Sequence, residues 1–112
     1  MIIEQLIQTY LSKLLDVPVV LERPEKPPAQ YVLIEKLGGG EDNHIFRATI
    51  AVQSYAKSLF EASVLNEIVK QAMNGLVLLD EICRSKLNSD YNHTDPTSKQ
   101  YRYQAVYDIT HY

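Results

Sequence analysis

The chain is predicted to fold as a single α+β domain over residues 1–112, and three features carry that prediction. From Ile45 to Ala56 the residues alternate, Phe46, Ala48, Ile50 and Val52 one way and Arg47, Thr49, Ala51 and Gln53 the other, which is the period of a strand with one face on a core. After Ala56 the period changes to that of a helix, with Leu65, Ile68, Val69, Ala72, Met73 and Leu76 on one stripe. The links between the remaining apolar runs are of hairpin length, which makes the sheet mainly antiparallel. The predicted order is α-β-β-β-α-β-β, with the helices packed on the sheet.

Each element has its own warrant. Ile2, Ile3, Leu6, Ile7, Tyr10, Leu11, Leu14 and Leu15 form one stripe with Glu4, Gln5, Gln8 and Lys13 opposite, an amphipathic first helix. Its polar face has too little positive charge for a membrane-surface helix. Asp16-Val17-Pro18 ends it, and the proline marks the following short strand, Val17 to Glu22, as an edge. Arg23 to Gln30 holds Pro24, Pro27 and Pro28 among charges and reads as a stiff exposed connection. Tyr31 to Leu37 is a strand, apolar on both faces at its start, as in a sheet interior or at a subunit contact.

Gly38 to Asn43 is expected to be a flexible hairpin connection into the central strand. The three glycines invite a phosphate-loop reading, but no Lys-Ser/Thr follows and a strand, not a helix, comes next. Ser58 and Glu61 have capping-box spacing at the start of the second helix. About half a dozen aliphatic side chains buried between this helix and the central strand supply gross stabilisation on the order of 10 kcal/mol, before chain entropy is subtracted. Asn74-Gly75 stops the helix, and Leu76 to Asp80 either extends it or crosses to the next strand. Glu81 to Asn92 holds a strand, with Ile82, Arg84 and Lys86 on one face and Cys83, Ser85 and Leu87 on the other. His93 to Ser98 is turn chemistry. Lys99 to Tyr112 is the last strand, with Tyr101, Tyr103, Ala105, Tyr107 and Ile109 sharing a face.

Composition narrows the function classes. Hydrophobic residues make up 46% of the 112, enough for one core. No apolar run reaches the roughly 18 to 20 residues of a membrane span, and Met1-Ile2-Ile3-Glu4 lacks the form of a secretory signal. The net charge of −3 is well mixed, and no Lys/Arg cluster stands out along the chain, which argues against tight nucleic-acid binding and suits a surface that DNA slides past. The lone Cys83 fits a reducing cytoplasm.

Chemistry is sparse. Cys83 with His44, His93 or His111 is a weak thiol–base candidate; a mid-strand structural cysteine, buried or half-buried, is the plainer reading. Asp90, His93 and Asp95, or Glu41, Asp42 and His44, have the ligand types for a hard metal without a specific spacing, and polar turns explain them as well. The tyrosines of the tail have only Lys99 and Arg102 among them in the last strand, too few cations for a single-strand groove. They suit a sheet face under a helix, or a subunit interface. No catalytic, cofactor or metal site is assigned.

Two segments carry a resemblance. Arg47-x-Thr49-x-Ala51-x-Gln53-Ser54-Tyr55-Ala56-x-Ser58-Leu59-x-Glu61-Ala62, running into Leu65-Asn66-Glu67, resembles the strand-to-helix passage of the tail terminator or tail-completion proteins of long-tailed bacteriophages and prophages. Asp95-Pro96-Thr97-x-Lys99-x-Tyr101-Arg102-Tyr103-Gln104-Ala105-Val106-Tyr107 is similar to their C-terminal strand. The resemblance implies a structural virion protein, not an enzyme, found in the tail neck and in the host cytoplasm during assembly. Such subunits form a ring, usually a hexamer, that caps the tail tube, ends its polymerisation and offers a head-joining surface while DNA passes through. The implied partners are further copies of the chain, the tail tube protein and a head-completion or connector protein, with no membrane and no sequence-specific DNA contact. Contact residues are expected among Arg23, Pro24, Pro27 and Pro28 of the stiff connection, Gly39, Glu41 and Asp42 of the hairpin, and Arg102 on the outer face of the last strand. The alternatives are another neck component, such as a stopper or connector subunit, and a small cytoplasmic ligand-binding domain.

Overall fold

The computed structural model describes residues 1–97 and 100–112. Two helices and a five-stranded sheet form one α+β domain of 44 × 26 × 24 Å. Helix α1 spans Ile3–Leu14, strand β1 Val19–Val20, β2 Tyr31–Asp42, β3 Ile45–Ala56, helix α2 Leu59–Met73, β4 Ile82–Asn92 and β5 Tyr101–His111. A 3-10 turn at Leu76–Leu78 resolves the open segment after α2. The strand order is β1-β2-β3-β5-β4. All pairings are antiparallel except that of β1 with β2.

Both helices cover one face of the sheet, here the inner face. Ile7 and Leu11 of α1, Leu65, Val69 and Met73 of α2, and Ile50, Val52, Ala105, Tyr107 and Ile109 of β3 and β5 share one core. Each of the Ile, Leu, Val and Met side chains contributes roughly 1.5–3 kcal/mol by leaving water. Ser58 accepts the backbone N–H of Glu61 at 3.1 Å, so the first turn of α2 is capped as its sequence predicts. Tyr10 ties the two helices together by donating to the Ala72 carbonyl at 2.7 Å. On the β4 side of α2, Asn66 donates to Asp90 at 2.6 Å, and Lys70 bridges Asp90 and Glu67. Those two carboxylates hold the lysine ammonium well above its usual range, and burial pushes the Tyr107 hydroxyl up to about 12.

Several expectations are corrected. The glycines are not a loop. Strand β2 continues through Gly38, Gly39 and Gly40 to Asp42, in register with Thr49, Ala48, Arg47 and Ile45 respectively. The turn is only Asn43-His44, both with positive φ (51° and 64°), the geometry of a two-residue type I′ hairpin, whose twist matches that of its strands. Asparagine tolerates this conformation, so the turn signal lay in Asp-Asn-His and not in the glycines. Strand β1 is two residues long, because Pro18 and the prolines after Arg23 leave little backbone free to pair. A bulge at Cys83 interrupts the β4–β5 register between Ile82 and Arg84. One extra residue reverses the alternation, so Ile82 faces the core while Arg84 and Lys86 face the other side. The same bulge leaves Cys83 exposed, not buried or half-buried. The predicted turn at Ser98 and strand start at Lys99 lie outside the described residues.

Candidate functional site

The outer face of the sheet, opposite the helices, has two unlike halves. At the end where Tyr31, Tyr55 and Arg102 stand in register, the face is closed. The rings of Tyr31 and Tyr55 stack with centroids 4.5 Å apart and planes 6° from parallel. Arg23 and Arg102 lie over the Tyr55 ring at 5.7 and 5.5 Å, an arrangement that favours the cations by the ring quadrupole. Arg102 also donates to the Tyr55 hydroxyl at 2.8 Å and to the His93 carbonyl at 2.9 Å, and Arg23 donates to Gln100 at 2.7 Å. Tyr55 donates to Gln53, and Gln53 to Gln104, which in turn donates to Tyr91. Gln53 and Tyr55 are therefore buried, although they stand on the strand face turned away from the helices. Burial raises the Tyr31 hydroxyl above its usual pKa.

At the other half the face is open. A groove of about 510 Å³ crosses β2, β3, β5 and β4. Its floor is low because Gly38 and Gly40 stand on it without side chains, beside Thr49 and Thr110. Arg47 lies across Gly40, where an added Cβ would meet the guanidinium at 3.4 Å. Arg84 and Lys86 reach the same groove from β4. None of these three cations has an ion pair among the described residues, where Lys70 makes both pairs. The one carboxylate lining the groove among the described residues is Asp108, held by Asn88 at 2.9 Å and by Thr49 at 3.5 Å. Three cations against one anion among its described lining residues give this groove local positive charge on a chain of net charge −3.

Arg47 is far from Arg84 and Lys86 in sequence, and they meet only because β5 inserts between β3 and β4. Reading along the chain therefore missed the cluster. Strand alternation offered Arg47 and Thr49 as outer-face residues, but the Cys83 bulge hid the facing of Arg84 and Lys86.

The residues expected at contacts divide between the two ends. Pro27 and Pro28 line a cleft of about 240 Å³ against Tyr31 and Tyr55, the end that also carries Arg23 and Arg102. Gly39, Glu41 and Asp42 lie roughly 26–36 Å of strand away, on a hairpin arm in which every residue from 35 to 47 is exposed. Arg102 is half-buried and held by internal bonds. On the helical side, Phe60, Val64 and Ile68 form an exposed apolar stripe along α2, Phe60 at 76% exposure, beside Gln30; Ile68, expected on the core stripe with Leu65 and Val69, stands outside it.

The weak chemical candidates do not converge. Asp90 is engaged by Asn66 and Lys70. Asp95 accepts the Thr97 backbone N–H and hydroxyl, which hold its carboxyl below the usual range. His111 stacks on Phe46. Among the described residues no three His, Cys, Asp or Glu side chains gather as a metal site would require, and no helix is long and apolar enough to cross a membrane. No protein-family model and no curated protein matches the chain.

Proposed function

We propose that the chain is a ring-forming tail terminator of a long-tailed phage or prophage. In this reading it caps the tail tube, ends tube polymerisation and provides the surface that joins the head. One observation supports it above others: the two ends of the sheet carry different exposed elements. One end bears the bare hairpin arm, with Leu37, Ile45 and Phe46 exposed. The other bears the proline-rich segment and the apolar stripe of α2. Two unlike surfaces on one subunit suit a heterologous interface, which closes into a ring when the rotation between neighbours permits. Exposed apolar groups of this size are also what a subunit contact buries.

Native mass measurement with electron micrographs of the purified protein tests the proposal. Rings of about six subunits are the expected result, in solution or on purified tail tubes. Deleting the gene from its prophage is expected to give tails of uncontrolled length that do not join heads. Tails of normal length without heads point instead to a stopper or connector role. Normal tails joined to heads would overturn both.

A further inference from the structure

We infer that the groove formed by Arg47, Arg84 and Lys86 takes the phosphodiester backbone of duplex DNA, as a weak and sequence-independent contact. The inference rests on the ring reading for the source of the DNA, and on the groove alone for the chemistry. Three features of the groove select a polyanion. Its cations are unengaged, so they lose no internal ion pair on meeting a ligand. They come from two strands on opposite sides of β5 and so flank a channel instead of forming a point. The floor at Gly38, where an added Cβ would meet nothing within 4 Å, lets a backbone approach closely, and the Thr110 hydroxyl is placed as a further donor.

The groove also selects phosphate over bases. Among the described residues no aromatic side chain lines it, so single-stranded bases have nothing there to stack on. Nor does it present Asn or Gln to read base edges. Asp108 sits among the cations and limits their pull. A contact so limited lets DNA slide, because affinity from phosphate neutralisation alone is the same at every position. Sequence reading found no basic cluster; the fold assembles one.

The test is fluorescence anisotropy of a labelled random-sequence duplex of about 30 base pairs at 20 mM salt, repeated up to 200 mM. Binding is expected to weaken with a log–log salt slope of about −2 to −3 per bound subunit. Arg84→Gln with Lys86→Gln breaks no internal bond, so circular dichroism should be unchanged. It is expected to weaken binding at least tenfold and to flatten the slope by about 2. Asp108→Asn should tighten binding several-fold. A control pair elsewhere, Lys13→Gln with Lys57→Gln, removes the same charge and is expected to change binding less than twofold.

Absence of salt-dependent binding at 20 mM, or equal loss in the control pair, overturns the inference. So does displacement of the duplex by polyglutamate at a lower charge concentration than by competitor DNA, which assigns the groove to an acidic protein. The mass of each sample is read in parallel. Rings that bind no duplex remove the groove proposal and leave the ring. Duplex binding that depends on Arg84 and Lys86, in a protein whose deletion leaves tails normal, does the reverse.

Discussion

At the Tyr55 end of the outer sheet face, two arginines are used up by the fold. At the glycine end, two arginines and a lysine are left over. Arg23 and Arg102 each cover an aromatic ring and donate to named acceptors. Arg47, Arg84 and Lys86 have no ion pair among the described residues. The same residue type is thus structural in one half and available in the other, and what differs is the neighbour. Tall tyrosines turn a sheet face into a second small core, whereas glycines leave it a trough. For a guanidinium, the question that separates stability from binding is what its donors already touch.

The largest blow to the closed half is Tyr55→Ala. It removes a buried ring stacked on Tyr31 and leaves Arg23 and Arg102 without the surface they lie on. Loss of about 3–5 kcal/mol is expected from the cavity and the lost burial, read as a fall in the urea midpoint. Tyr55→Phe keeps the ring and loses only the hydroxyl's bonds to Gln53 and Arg102, at a cost of about 1–2 kcal/mol. If Tyr55→Ala costs no more than Tyr55→Phe, the closed half is not a core.

A paired substitution compares the halves directly. Arg102→Ala removes donors to the His93 carbonyl and the Tyr55 hydroxyl and should destabilise by about 1–3 kcal/mol. Arg84→Ala takes an exposed side chain from the open half and should shift stability by less than about 0.5 kcal/mol. Its effect belongs to duplex binding. Equal costs in the urea midpoint would erase the distinction between a used and a free arginine.

Much of this architecture is legible in the sequence, and the exceptions share a cause. The period change at Ala56, the Ser58 cap and the alternation of β5 rest on local stereochemistry, so they read directly from Ile50, Glu61 or Tyr107. What escaped depended on single inserted residues or on partners remote in sequence. The Cys83 bulge reverses which side Arg84 faces, and nothing in Ile-Cys-Arg-Ser announces it. The burial of Gln53 follows from Tyr55 and Gln104 standing on the same patch, a fact of register that alternation alone does not supply. The groove combines both difficulties, needing the bulge and the placement of β5 beside β3.

The smallest expected effect bears on why glycines stand in a strand, where they are ordinarily a cost. None has positive φ, so conformational freedom does not explain them. At Gly38 an added Cβ meets nothing within 4 Å. Gly38→Ala should therefore stabilise by about 0.4–1 kcal/mol, through the lower entropy of the unfolded chain. At Gly39 the Cβ would meet Lys36 Cε at 2.9 Å and the Arg47 carbonyl oxygen at 3.1 Å. The lysine can swing away, but the carbonyl belongs to the neighbouring strand and must give. Gly39→Ala should thus be neutral to destabilising by about 1 kcal/mol. Adjacent residues of one type then respond with opposite signs in the same urea titration. If both stabilise alike, close approach of β3 does not explain Gly39. If Gly38→Ala stabilises and also leaves duplex affinity intact, stability alone does not account for its glycine. The larger Gly38→Leu then tests whether a filled trough still admits a phosphate backbone.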